Sequence, residues 1–166
     1  MSILAAMVVP HPPLIIPAVG GGEEQKIQRT IDAYHKVMER AAALRPDTVV
    51  VTSPHTVMYA DYFHISPGSR AEGNFGQFRA AQVRVTAEYD EALAARLSAN
   101  CAAAGLAAGF LGEKEAALDH GTMIPLYFLQ QHFPKVRVVR IGLSGLSAAA
   151  HYQLGQQIAA AAGELG

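Results

Sequence analysis

Two short runs of apolar and β-branched residues, Ile3–Val9 and Thr48–Ser53 (TVVVTS), each stop at a proline followed by a histidine, Pro10-His11 and Pro54-His55. Runs this short, with almost no polar position on either face, read as strands buried on both sides, as in parallel sheets. Between them, Glu23 to Leu44 places Ile27, Ile31, Tyr34, Met38 and Ala41 at helical steps on one face, and Arg45-Pro46 ends the helix. A strand–helix–strand order predicts right-handed crossovers. The expected fold is therefore α/β with three αβα layers, a mostly parallel central sheet having helices on both faces. Ligands bind beyond the carboxyl ends of such strands, which is where His11 and His55 fall.

The remaining chain continues the alternation. Tyr62–Ser66 and Val83–Thr86 are short candidate strands, and Pro67 to Gln82, rich in glycine, is expected to be a long mobile loop. Glu88 to Ala104 reads as a helix capped by Gly105. Leu118 to Phe133 is apolar nearly all round, so a deeply buried helix is expected, with Pro125 in its first turn. Val136–Leu143 is a further buried strand, and Ser147 is a good N-cap for a last helix bearing Leu154, Ile158 and Ala162.

Composition narrows the function. The net charge of −1 and the lack of any Lys/Arg cluster argue against nucleic acid or an acidic membrane as partner. The first nine residues are too short and too soon broken by proline for a signal peptide or span. Cys101 is the one cysteine, which fits a reducing cytoplasm, and its place on an apolar helix face suggests an inert core thiol.

Imidazole is a common ligand for zinc and ferrous iron, and proline pre-organises both histidines, His11 within Pro10-His11-Pro12-Pro13 and His55 after Pro54. Spacing alone, 44 positions, slightly favours two ordinary loop histidines. His120, in Leu118-Asp119-His120-Gly121-Thr122, is a candidate acid/base; alternatively Asp119 simply caps a helix. The helix start favours neutral His120. His35, His132 and His151 read as structural or solvent-facing, and alternation leaves the direction of His64 open. Gly20-Gly21-Gly22 lacks the spacing and lysine of a phosphate loop, and Gly142-Leu143-Ser144-Gly145 is not a nucleophile elbow.

Taken together, VVPHPPLIIPAVGGGEE, VVVTSPHTVMYADYFHIS, LDHGTMIPLYFL and RIGLSGLSAAAHYQLG resemble the LigB-like superfamily of class III extradiol ring-cleavage dioxygenases. The branch most resembled is that of AmmeMemoRadiSam system protein A and the Memo proteins. The likeness runs from Ile3 to about Gly155. It implies a non-heme Fe(II) site of two histidines and a glutamate, open to a catecholate and O₂. By the match, His11 and His55 are the imidazole ligands. His120 is the catalytic and substrate-orienting histidine, with Asp119, Ser53 and Tyr59 expected to contact substrate. The family's carboxylate ligand lies in a C-terminal part for which no segment here matches; Glu113, Glu115 and Asp119 do not occupy its position.

Residues 1–166 are thus expected to be one LigB-like domain lacking its C-terminal part. The expected function is an Fe(II)-dependent oxidoreductase acting on a small aromatic diol, or a related oxygen-chelating compound, and O₂, inactive in this form. One alternative is a Memo-like non-catalytic module working with a radical-SAM partner. Another is a zinc-dependent hydrolase-like domain. Uncovered apolar surface is expected to drive homo-oligomerisation.

Overall fold

In the computed structural model, which describes residues 3–165, Thr48–Ser53 forms β1 as its β-branched run requires. Phe63–His64 is β2, Arg70–Phe75 is β3, Ala80–Tyr89 is β4, Ala108–Gly109 is β5 and Arg137–Gly142 is β6. The helices are α1 (Pro17–Gly20), α2 (Gln28–Ala43), α3 (Glu91–Ala103), α4 (His120–His132) and α5 (Ala148–Glu164). A 3₁₀ turn, Glu23–Ile27, leads into α2.

The main sheet has the order β1-β6-β4-β3. β6 runs parallel to both β1 and β4, while β3 is antiparallel to β4. β2 and β5 make a separate parallel pair, tied to β6 by a bridge from Ile65 to Ile141. The fold is α/β, a mostly parallel mixed sheet flanked by helices. β6 explains the layering: Val138 packs with Tyr34 and Met38 of α2 and Leu126 and Leu129 of α4. Val139 and Ile141 point the other way, to Leu93 and Leu97 of α3 and Leu154 of α5. A strand apolar on both faces is thereby satisfied on both. Asp90 and Ser147 cap α3 and α5 by accepting from Leu93 N–H and Ala150 N–H.

Three expectations are corrected. Ile3–Val9 is not a strand: Val8 is fully exposed, and Ile3, Leu4 and Met7 are exposed as well. A strand buried on both faces needs a neighbour, and no ladder joins these residues to β1. They instead line a cavity of about 1080 Å³ together with β1. Pro67 to Gln82 is not a mobile loop but most of a hairpin, β3 and the start of β4. Its glycine is a packing device: a Cβ on Gly73 would stand 2.5 Å from the Leu118 carbonyl oxygen and 2.6 Å from Met123 Sδ. Pro125 lies in the second turn of α4, not the first, because Asp119 starts the helix. No described helix is long and apolar enough to cross a membrane. Cys101 is fully buried, and burial pushes its thiol pKa up, as a core residue would show.

Candidate metal and acid–base site

His55 leaves β1 two residues beyond its end, and its backbone N–H donates to Ser53 Oγ at 3.1 Å. His11 lies in the segment that follows Ile3–Val9. It precedes a 3₁₀ turn, Pro13–Ile15, whose Ile15 and following Ile16 are buried in the core and fix its position. The two Nε2 atoms are 3.0 Å apart, and the rings meet edge to face with centroids 4.9 Å apart. His120, the first residue of α4, lies against His55 with ring centroids 3.9 Å apart and is 6.0 Å from His11. Phe78 closes on His120 edge-on, at 5.3 Å. Three histidines far apart in sequence thus share one place at the carboxyl edge of the sheet.

The pair geometry admits two states. Without a cation, one imidazole donates N–H to the lone pair of the other. Two ligand nitrogens each about 2.1 Å from one ion and at right angles to each other stand about 3.0 Å apart. His11 and His55 therefore fit as two adjacent ligands of one ion. His120 stacks on His55 and does not extend the pair into a larger set: among the described residues, no three or more His, Cys, Asp or Glu side chains are grouped to hold a metal.

Ser53, Asp119 and Tyr59, expected to contact substrate, each make contacts within the protein. Ser53 is buried, and its hydroxyl donates to Asp119 Oδ1 at 2.6 Å. Asp119 Oδ1 also accepts from Thr122 N–H at 3.0 Å, and Oδ2 accepts from Thr122 Oγ1 at 2.7 Å and Arg140 Nη2 at 3.3 Å. Asp119 is thus both the N-cap of α4 and a hub beneath the cluster. Burial raises its pKa, but the Ser53 and Thr122 hydrogen bonds and the Arg140 charge outweigh this and hold the carboxyl below its ordinary value. Tyr59 donates its hydroxyl to the Gly112 carbonyl, and Lys114 Nζ sits 5.4 Å from its ring centroid, so it fastens the segment before α4.

His120 has a lowered pKa. Burial contributes most, then the neighbouring His55; Asp119 opposes and His11 adds to the lowering. A neutral imidazole at physiological pH can accept a proton and donate its own N–H. His64 points inward: Nδ1 faces the Leu111 carbonyl at 3.1 Å and Nε2 faces Glu113 at 3.2 Å, so both latch residues 111–113 and Glu113 is taken up there. His151 packs edge-on to Phe63 at 4.7 Å, and His35 on Phe128 at 5.1 Å.

One residue escaped sequence reasoning. Arg140 is only 2% exposed in the middle of β6 and ties Asp119 to the Glu115 carbonyl, 3.2 Å from Nη1. Its signal was an arginine inside an otherwise apolar buried strand.

Comparison with known proteins adds to this geometry. The family described as the catalytic LigB subunit of aromatic ring-opening dioxygenase matches residues 5–165. Protein CA_C1420 of Clostridium acetobutylicum is 29% identical over 174 residues, covering 99% of this chain and 37% of that protein. The chain spans little more than a third of the length of this curated relative.

Proposed function

Because the chain belongs to the family of the catalytic LigB subunit of aromatic ring-opening dioxygenases, we propose that it supplies the histidine part of a non-heme Fe(II) site for extradiol-type cleavage of a small aromatic diol. The observation that carries this reading is the 3.0 Å approach of His11 Nε2 to His55 Nε2, with His120 alongside. His11 and His55 would hold the ion through their Nε2 lone pairs. When bound, ferrous iron supplies the redox chemistry that couples a diol to O₂.

The chain's own residues do the rest. His120, neutral at physiological pH, takes a proton from a substrate hydroxyl or donates its N–H to a substrate oxygen. Phe78 gives the site an apolar wall against which an aromatic ring can lie. Ser53 and Asp119 hold the two elements that carry His55 and His120. Zinc is the alternative ion, since imidazole accepts both. Within the family we favour the AmmeMemoRadiSam protein A and Memo branch, on the HPPL, SPH and DHG motifs. A second reading, a Memo-like binding module with a radical-SAM partner, is favoured by the exposed apolar run Ile3–Val9 beside its cavity.

The test is anaerobic loading with Fe(II) followed by oxygen-uptake assays against a panel of catechols, with His11→Ala, His55→Ala and His120→Gln. Iron retained by the unsubstituted chain and lost from the first two variants supports the ion site. Oxygen uptake lost on His120→Gln with iron retained supports its acid–base role. Failure of the unsubstituted chain to bind iron or zinc would move the assignment to the binding module.

A further inference from the structure

We propose that Arg140 is a positioning residue for the histidine cluster, acting through Asp119. The inference rests on reading His11, His55 and His120 as the site, and it deepens that reading. Arg140 sits in β6 opposite Val51 of β1, with its guanidinium on the face that carries α4. Nη2 donates to Asp119 Oδ2 and Nη1 to the Glu115 carbonyl, while Nε has no partner among the described residues. Through Asp119 the guanidinium reaches both functional elements. Asp119 caps α4 directly before His120, and it accepts from Ser53, whose oxygen in turn accepts the His55 backbone N–H.

Stability alone does not account for a charge there. A buried ion pair loses so much hydration that replacing both partners by apolar residues of similar volume is often neutral or stabilising. Arg140 has Val138, Val139 and Ile141 as neighbours in β6, all buried, so an apolar pair in place of Arg140 and Asp119 together would suit this interior. What an aliphatic side chain cannot do is hold Asp119 and the Glu115 carbonyl in one fixed fork. That fork sets the angle between the end of β1 and the start of α4, and hence the 3.9 Å packing of His55 on His120.

The experiment compares Arg140→Met and Arg140→Lys by thermal unfolding, by imidazole NMR of the metal-free chain, and by Zn²⁺ titration. Arg140→Met leaves Asp119 without its counter-charge and is expected to unfold at a lower temperature, with the ring signals of His35, His132 and His151 unchanged in the folded protein. The His55 and His120 signals should move, and Zn²⁺ should bind about 10- to 100-fold more weakly, the usual cost of removing an outer-shell partner. Arg140→Lys, which keeps the charge but not the fork, should fall between. A folded Arg140→Met with unsubstituted His55 and His120 signals and zinc affinity overturns the proposal. If Arg140→Met does not fold, unsubstituted signals in Arg140→Lys overturn it equally. A lack of zinc uptake by the unsubstituted chain counts against the ion site alone, because the ring signals still decide the role of Arg140.

Discussion

His11 Nε2 and His55 Nε2 stand 3.0 Å apart across 44 positions of sequence. If both hold one ion, neither alone is sufficient, and their contributions cannot add. His11→Ala and His55→Ala should each abolish stoichiometric Zn²⁺ or Co²⁺ binding, and the double variant should lose no more than either single one. Calorimetric titration of the four proteins checks this. Losses that add independently would mean the two imidazoles serve different sites.

Asp119 should matter more for stability than a surface carboxylate. Truncating it leaves Arg140 buried without its counter-charge, a loss of about 3–5 kcal/mol, so Asp119→Ala should unfold at markedly lower denaturant. Its pH dependence follows from the lowered pKa in the folded state. A carboxyl whose folded value lies below its unfolded value of about 3.9 stabilises fully above that value. The contribution is then lost as pH falls through the folded value. Denaturation of the unsubstituted chain and Asp119→Asn across acid pH should give curves that converge as the medium becomes more acidic; curves that stay parallel would remove the carboxylate from the stability account.

His120 should behave oppositely to an exposed histidine. Its folded pKa is lowered, by burial first and then by His55. Below the ordinary value of about 6.5 the unfolded chain therefore binds a proton that the folded chain refuses. In the metal-free protein, stability should fall as pH drops from about 6.5 toward the folded value. His120→Gln should remove that slope, as read by denaturant midpoints, and the His120 ring signal should titrate below the reference. A midpoint at or above the reference would contradict the buried, crowded environment.

Gly121 reports on the same junction. A Cβ there would stand 2.3 Å from Ser53 Oγ and 3.0 Å from His55 Cδ2. Gly121→Ala should separate Ser53 from Asp119, displace His55 and cost about 1–3 kcal/mol, the range for overpacking. Thermal unfolding gives the cost, and the His55 ring signal shows whether the displacement reaches the site. An alanine variant with unsubstituted stability and His55 signal would mean the junction yields more easily than its contacts imply.

Much of this junction could be read from sequence because its elements carry local signals. TVVVTS can be little but a buried strand, and Pro54 marks where the chain leaves it just before His55. Asp119 was legible as a cap because a helix start needs an acceptor. The hub it forms with Ser53 and Arg140 was not, since its members come from β1, α4 and β6 and meet only through sheet register. Gly73 misled for a related reason. Glycine suggests a loop when read locally, yet here it admits the Leu118 backbone against a strand. Ile3–Val9 misled in the other direction: an apolar run states that burial is favourable, not what will cover it.

That same run yields the last prediction. Val8 is fully exposed, with Ile3, Leu4 and Met7 also exposed, and β1 pairs with β6 while its other side faces the cavity that residues 3–9 line. An apolar segment beside an unpaired strand edge favours association between copies. Average mass by light scattering should therefore rise with protein concentration in the micromolar range. Met7→Lys and Val8→Lys should lower it by placing charge on the exposed run, while leaving thermal unfolding nearly unchanged because neither side chain is part of the core. A mass that stays monomeric at every concentration would show that the run is covered within one chain in solution. A mass that rises equally in the lysine variants would place the contact on another face.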